Sequence, residues 1–180
     1  MPRGLSNKVA LITGAAQGIG RGIALRLAQE GVHLALVDLS ADKLKKVQAE
    51  VEALGVKATI FNADISQLEQ ITQAIDYAEQ QLGGFDIMIN NAGIAQVQAI
   101  SDVSPEEFRK ITDINVGGVL WGIQAAAKKF IERKQKGKII NAASIADVVG
   151  KKRCIRYITP APANPTTTPI PATRKNWPTA

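Results

Sequence analysis

Short apolar runs alternate with amphipathic stretches from about residue 8 to residue 150, the order expected of βαβ units around a parallel sheet. Val9-Ala10-Leu11-Ile12 predicts strand one. The helix after it, Gly18 to Glu30, places Ile19, Ile23, Ala24 and Leu27 on one face at helical spacing, and Gly31 closes it. His33 to Val37 predicts strand two, followed by a charged helix, Ala41 to Leu54, capped by Ser40 and stopped by Gly55. Ala58 to Phe61 is strand three, and Ser66 is expected to cap a helix that ends at Leu82 before Gly83-Gly84. Asp86 to Ile89 is strand four. Ser104-Pro105-Glu106-Glu107 combines a capping box with Pro at the first helical position, and opens one long helix to about Lys134. Lys138 to Asn141 is strand five.

Beyond Gly150 the pattern stops. Six prolines fall between Pro160 and Pro178 and six threonines between Thr159 and Thr179. Such text holds neither a helix nor a central strand and has little to bury, so 151–180 reads as a disordered tail behind a 1–150 domain. Charge sharpens the same boundary. The net charge is +6, but residues 1–150 carry 16 basic and 16 acidic side chains, so the excess lies in Lys151, Lys152, Arg153, Arg156, Arg174 and Lys175. A basic surface built into the domain is therefore not expected, and nucleic acid is not an expected partner.

The composition, 46% hydrophobic and 21% charged, is that of an ordinary globular domain. No apolar run reaches the roughly 18 residues of a membrane span, and Met1 to Lys8 lacks a signal-peptide core, so no membrane association is expected. The single cysteine, Cys154, forms no internal disulfide, which fits the cytoplasm. No metal site is expected.

The chemistry concentrates in the loops after the strands. Thr13-Gly14-Ala15-Ala16-Gln17-Gly18-Ile19-Gly20 joins strand one to the first helix, where glycines let the backbone approach a pyrophosphate seated on the helix N-terminus. Asp38 ends strand two, placed to accept hydrogen bonds from an adenosine ribose and to repel a 2′-phosphate, which favours NAD over NADP. The plainer alternative is that Asp38 and Ser40 only start a turn and cap a helix, but the glycine loop upstream favours the ribose role. Asn90-Asn91-Ala92-Gly93 follows strand four, with small residues that admit a flat ligand.

Taken in order, T-G-A-A-Q-G-I-G, Asp38, N-A-D-I at 62–65, N-N-A-G, D-I-N-V-G-G at 113–118 and I-I-N-A-A-S at 139–144 resemble the short-chain dehydrogenases/reductases over about residues 8 to 150. Within that family, the segments from Gly84, Val119 and Lys136 are similar to the branch that acts on diacetyl, acetoin and 2,3-butanediol. The resemblance implies a Rossmann-type doubly wound sheet, here truncated after strand five, and NAD(H)-dependent interconversion of a small ketone and a secondary alcohol. It implies that Gly14, Gln17, Gly18, Ile19, Gly20 and Asp38 bind the cofactor, that Asp64 contacts adenine, and that Asn91, Ala92 and Gly93 line the path toward the nicotinamide. Asn115 would hold a water in a proton relay, Ser144 would bind the substrate oxygen, and Tyr157 would exchange the proton. Intact relatives are implied to be homo-oligomers.

One position departs from the family. Tyr157 lies at the expected distance from Ser144, but the lysine expected four residues later is Ala161, beside Pro160. An unassisted tyrosine titrates near pKa ~10, and a neighbouring cation is a principal means of lowering it. Catalysis is therefore expected to be impaired, and a non-catalytic dinucleotide-binding module or an inactive fragment is the alternative. A shifted reading frame or an altered end near Gly150 would account for the change in text.

Overall fold

The computed structural model describes residues 4–95 and 100–144. Tyr157, Ala161, Cys154 and the 151–180 tail lie outside the described residues. The elements are β1 (Val9–Thr13), α1 (Gly18–Gln29), β2 (His33–Asp38), α2 (Ala41–Glu52), β3 (Ala58–Asn62), α3 (Leu68–Leu82), β4 (Ile87–Asn90), α4 (Pro105–Thr112), α5 (Gly118–Glu132) and β5 (Lys138–Asn141). All pairings are parallel, and the strand order is β3-β2-β1-β4-β5. The expected Rossmann-type α/β sheet is thus present. The order reverses between β1 and β4, and in open sheets of this kind ligands lie outside the carboxyl ends of the strands at that point.

Central strands buried on both faces explain why β1 reads as an uninterrupted apolar run. On one face, Ala10, Ile12, Leu34, Leu36 and Ile89 pack with Ala24 and Ala28 of α1 and with Leu44, Val47 and Val51 of α2. On the other, Leu11, Ala35, Val37 and Met88 pack with Ile71, Ala74 and Ile75 of α3 and with Ala126 and Phe130 of α5. Phe85 and Phe130, both fully buried, stack with centroids 5.0 Å apart.

Four local expectations are corrected. The long helix is not uniform: a π turn, Asp113–Gly117, separates α4 from α5, which ends at Glu132. The segment Asp-Ile-Asn-Val-Gly joins β-branched residues, Asn and Gly, all weak helix formers, and the wider turn carries Asn115 into the interior at 1% exposure. Ser66 does not cap α3. Gln67 occupies that position, without a side-chain capping bond, and Ser66 belongs to the preceding turn, where its backbone N–H donates to Asp64 Oδ1 at 2.9 Å. Ser40 stands at the α2 cap position without a side-chain capping bond; its N–H instead donates to Asp38 Oδ1 at 3.2 Å. Ile19 does not share the buried face of α1. That face is Gly20, Ala24 and Ala28, whereas Ile19 is 76% exposed. The capping box at Ser104 and Glu107 is present in both directions, with Pro105 at the helix start.

Candidate dinucleotide site at the strand-order reversal

The loops that follow β1, β2, β3 and β4 meet the segment after β5 around a cleft of about 490 Å³. Its lining includes Gly14, Gln17, Ile19, Gly20, Asp38, Asp64, Asn91, Ala92, Gly93, Asn115 and Ser144. The structure therefore brings together every expected site residue except Gly18, which stands in the same loop, and Tyr157, which lies outside the described residues. The exposure of Ile19 now has a place: it faces this cleft.

The first loop is built for close approach. Gly14 has φ +67°, a conformation L side chains avoid, and a Cβ there would stand 2.7 Å from Ala92 Cα. A Cβ on Gly20 would overlap the Gly14 carbonyl oxygen. Gln17 precedes α1 in an extended conformation and makes no side-chain capping bond, and the first turn of α1 contains no acidic residue. The N-terminal N–H groups of this helix are thus left to an external acceptor, and the helix dipole favours an anionic one. These features fit a pyrophosphate.

Asp38 is fixed at the end of β2 by two backbone donors, Ala16 N–H to Oδ2 at 3.1 Å and Ser40 N–H to Oδ1 at 3.2 Å. Each carboxylate oxygen keeps a lone pair for a further donor. Lys43 Nζ donates to Gln17 Oε1 at 2.7 Å, joining α2 to the first loop. At the next strand end, Asp64 Oδ1 accepts from Ser66, and the Asp64 N–H donates to Gln70 Oε1 at 2.7 Å, which holds the turn before α3.

The loop after β4 is tied to β1 through Thr13, whose role the sequence did not disclose. Thr13 Oγ1 accepts from the N–H groups of Asn91 and Ala92, at 3.0 and 3.1 Å, and donates to Ile89 O at 3.4 Å. Asn91 Nδ2 donates to Thr13 O at 3.0 Å and to Gly14 O at 3.3 Å. Asn115 is occupied at both ends of its amide: Ile94 N–H donates to Oδ1 at 2.8 Å and Nδ2 donates to Ile94 O at 2.9 Å. Asn115 therefore pins the π turn to the β4 loop, and any water it held would use what remains of its amide or its backbone. Ser144, half-buried, lines the cleft beside Ala142 and Ala143.

Sequence reading also missed the apolar lining, chiefly Leu39, Ile65, Ile94 and Val119. Leu39 carried a usable signal: a large apolar residue next to the strand-ending Asp38, and 66% exposed. Among the described residues, no helix is long and apolar enough to cross a membrane.

The short chain dehydrogenase family profile matches residues 8–159. The chain is similar to the L-2,3-butanediol dehydrogenase of Corynebacterium glutamicum, 45% identical over 146 residues that cover 80% of this chain and 57% of that protein. It is 44% identical over 140 residues to the diacetyl reductase [(S)-acetoin forming] of Staphylococcus epidermidis, covering 78% of this chain and 54% of that one. Among solved structures, a short chain dehydrogenase from Mycobacterium paratuberculosis bound to NAD superposes with a TM-score of 0.79 at 34% identity, covering 84% of this chain and 60% of that one. The chain thus spans a little over half the length of the curated relatives it matches.

Proposed function

The chain belongs to the short-chain dehydrogenase family, and from that premise we propose that its cleft binds NAD(H) for oxidoreduction between a small ketone and a secondary alcohol, of the acetoin, diacetyl and 2,3-butanediol kind. The observation that carries this reading is the convergence, at the β1/β4 reversal, of an uncapped helix N-terminus, a glycine cradle and the strand-ending carboxylate Asp38. Gly14, Gln17, Gly18, Ile19 and Gly20 would hold the pyrophosphate, Asp38 the adenosine ribose, Asp64 the adenine, and Asn91, Ala92 and Gly93 the path toward the nicotinamide. The carboxylate of Asp38 would repel a 2′-phosphate, so NADH is expected to be preferred over NADPH. The relatives' names support the substrate class.

The nicotinamide, when bound, supplies or accepts the hydride. Ser144 Oγ would donate to the substrate oxygen and orient its carbon, and the Tyr157 hydroxyl would give or take the proton at that oxygen. That proton transfer is expected to be impaired. With Ala161 where a lysine would stand, no ammonium at that position lowers the tyrosine pKa toward the working pH, and general acid–base catalysis, worth about 10²- to 10⁴-fold in all, works best when that pKa lies near the working pH. Ala161 also favours a second reading, a dinucleotide-binding module without turnover.

Homogeneous chain mixed with NADH and acetoin distinguishes the two. Slow, acetoin-dependent oxidation of NADH supports an impaired dehydrogenase; binding of NADH with no oxidation supports the binding module. Turnover as fast as that of intact relatives would refute the impairment.

A further inference from the structure

Asn90 is buried, 2% exposed, and is the first residue of the Asn90-Asn91-Ala92-Gly93 turn. Its Nδ2 donates to Asn141 Oδ1 at 2.8 Å, and its backbone oxygen accepts from Ala142 N–H at 2.8 Å. The two asparagines are register partners at the carboxyl ends of β4 and β5. Asn90 Oδ1 is the one fully buried side-chain polar atom without a hydrogen-bond partner among the described residues. The space it faces is taken by Gly122 of α5: a Cβ on Gly122 would overlap Oδ1 and lie 2.9 Å from Met88 Cε. What meets this oxygen is therefore a glycine Cα–H, a weak donor. Reversing the amide would set an N–H against that C–H, so the orientation follows from the surroundings.

Three elements meet at this one side chain. β4 leads directly into Asn91, Ala92 and Gly93. α5 continues the π turn that holds Asn115, with Gly122 about two helical turns further on. β5 ends at Asn141, and the chain continues through Ala142 and Ala143 to Ser144. We propose that Asn90, seated on Gly122, and its partner Asn141 are positioning residues that set the Ser144 segment against the β4 loop, and so form the nicotinamide end of the cleft. This rests on the dehydrogenase reading. The adenosine end depends on different groups, the α1 N-terminus and Asp38, neither of which Asn90 is seen to touch.

That separation supplies the test. The full chain and its Asn141→Ala variant are titrated calorimetrically with NADH and with ADP-ribose, which lacks the nicotinamide, and circular dichroism checks the fold. Asn141→Ala strands a buried donor and is expected to weaken NADH about tenfold while ADP-ribose changes by less than about twofold. Gly122→Ala should give the same split, and adding Asn90→Ala should relieve its overlap and restore folding without restoring NADH affinity. Where Gly122→Ala fails to fold alone, Asn141→Ala decides. Unchanged NADH affinity in Asn141→Ala, or equal weakening of both ligands, overturns the positioning role. Wild-type chain that folds but binds neither ligand overturns the dehydrogenase reading, and the positioning role with it.

Discussion

Individual residues at the cleft are held by backbone more than by one another. Asp38 shows this: two N–H donors fix its carboxylate before any ligand arrives. Asp38→Ala should lower NADH affinity by about tenfold, through a lost charge-assisted bond, while leaving NADPH affinity equal or improved. Parallel calorimetric titrations check it; equal losses for both cofactors would contradict the ribose role. Gly20→Ala belongs to another class, because its Cβ would overlap the carbonyl of Gly14 and a backbone atom gives way poorly. It should destabilise the chain by about 3 kcal/mol or more in a urea melt. Gly20 and Asp38 were legible in the sequence because their nearest backbone partners, Gly14 for the one and Ala16 and Ser40 for the other, lie within one βα turn or the next strand. Thr13 was not, since its partners Asn91 and Ala92 are 78 and 79 residues away and only the parallel β1–β4 pairing brings them together. Ile19 was misread for a similar reason. Helical spacing alone does not say that the first turn of α1 is turned toward a cleft rather than toward the sheet.

At the level of elements, strands and helices with strong apolar periodicity were legible, and the exceptions have local causes. The capping box announced the start of α4, and Ser104→Ala should cost about 1 kcal/mol in thermal or chemical denaturation. The π turn was legible only in hindsight, through the poor helix formers at 113–117, because what stabilises it is Asn115 reaching the backbone of Ile94. Between α3 and α5, Lys129 Nζ meets Asp76 at 2.5 Å and Glu79 at 3.3 Å, and Arg133 meets Glu79 at 2.6 Å. The hydrogen bond to Asp76 raises the Lys129 ammonium above its ordinary pKa, with the charges of Glu79 and Asp76 adding and partial burial opposing. A raised lysine pKa stabilises the folded chain fully below the unfolded value of 10.5 and ceases to do so as the pH rises through the folded value. Lys129→Gln should therefore lose about 1 kcal/mol or less across neutral pH, given the exposure of the pair, and the gap from wild type should close in strongly alkaline buffer. A gap that widened with alkalinity would contradict this sign.

The described residues form a sheet sandwiched between two helical layers, with the candidate site gathered at one end where the strand order reverses. Phe130 anchors the layer formed by α3 and α5, stacked on Phe85, and a Cβ on Gly137 would overlap its ring. Phe130→Ala should destabilise the chain by about 3–5 kcal/mol in equilibrium unfolding. The architecture was readable from alternating apolar and amphipathic segments; which loops share a cleft was not, because that depends on strand order rather than chain order. The central claim is that this end of the sheet holds a dinucleotide. Calorimetric titration of the full chain with NADH tests it most directly. Saturable binding, at about one NADH per chain and weakened by Asp38→Ala, is the expected result. A folded chain, with the circular dichroism of an α/β protein, that takes up no NADH would contradict it.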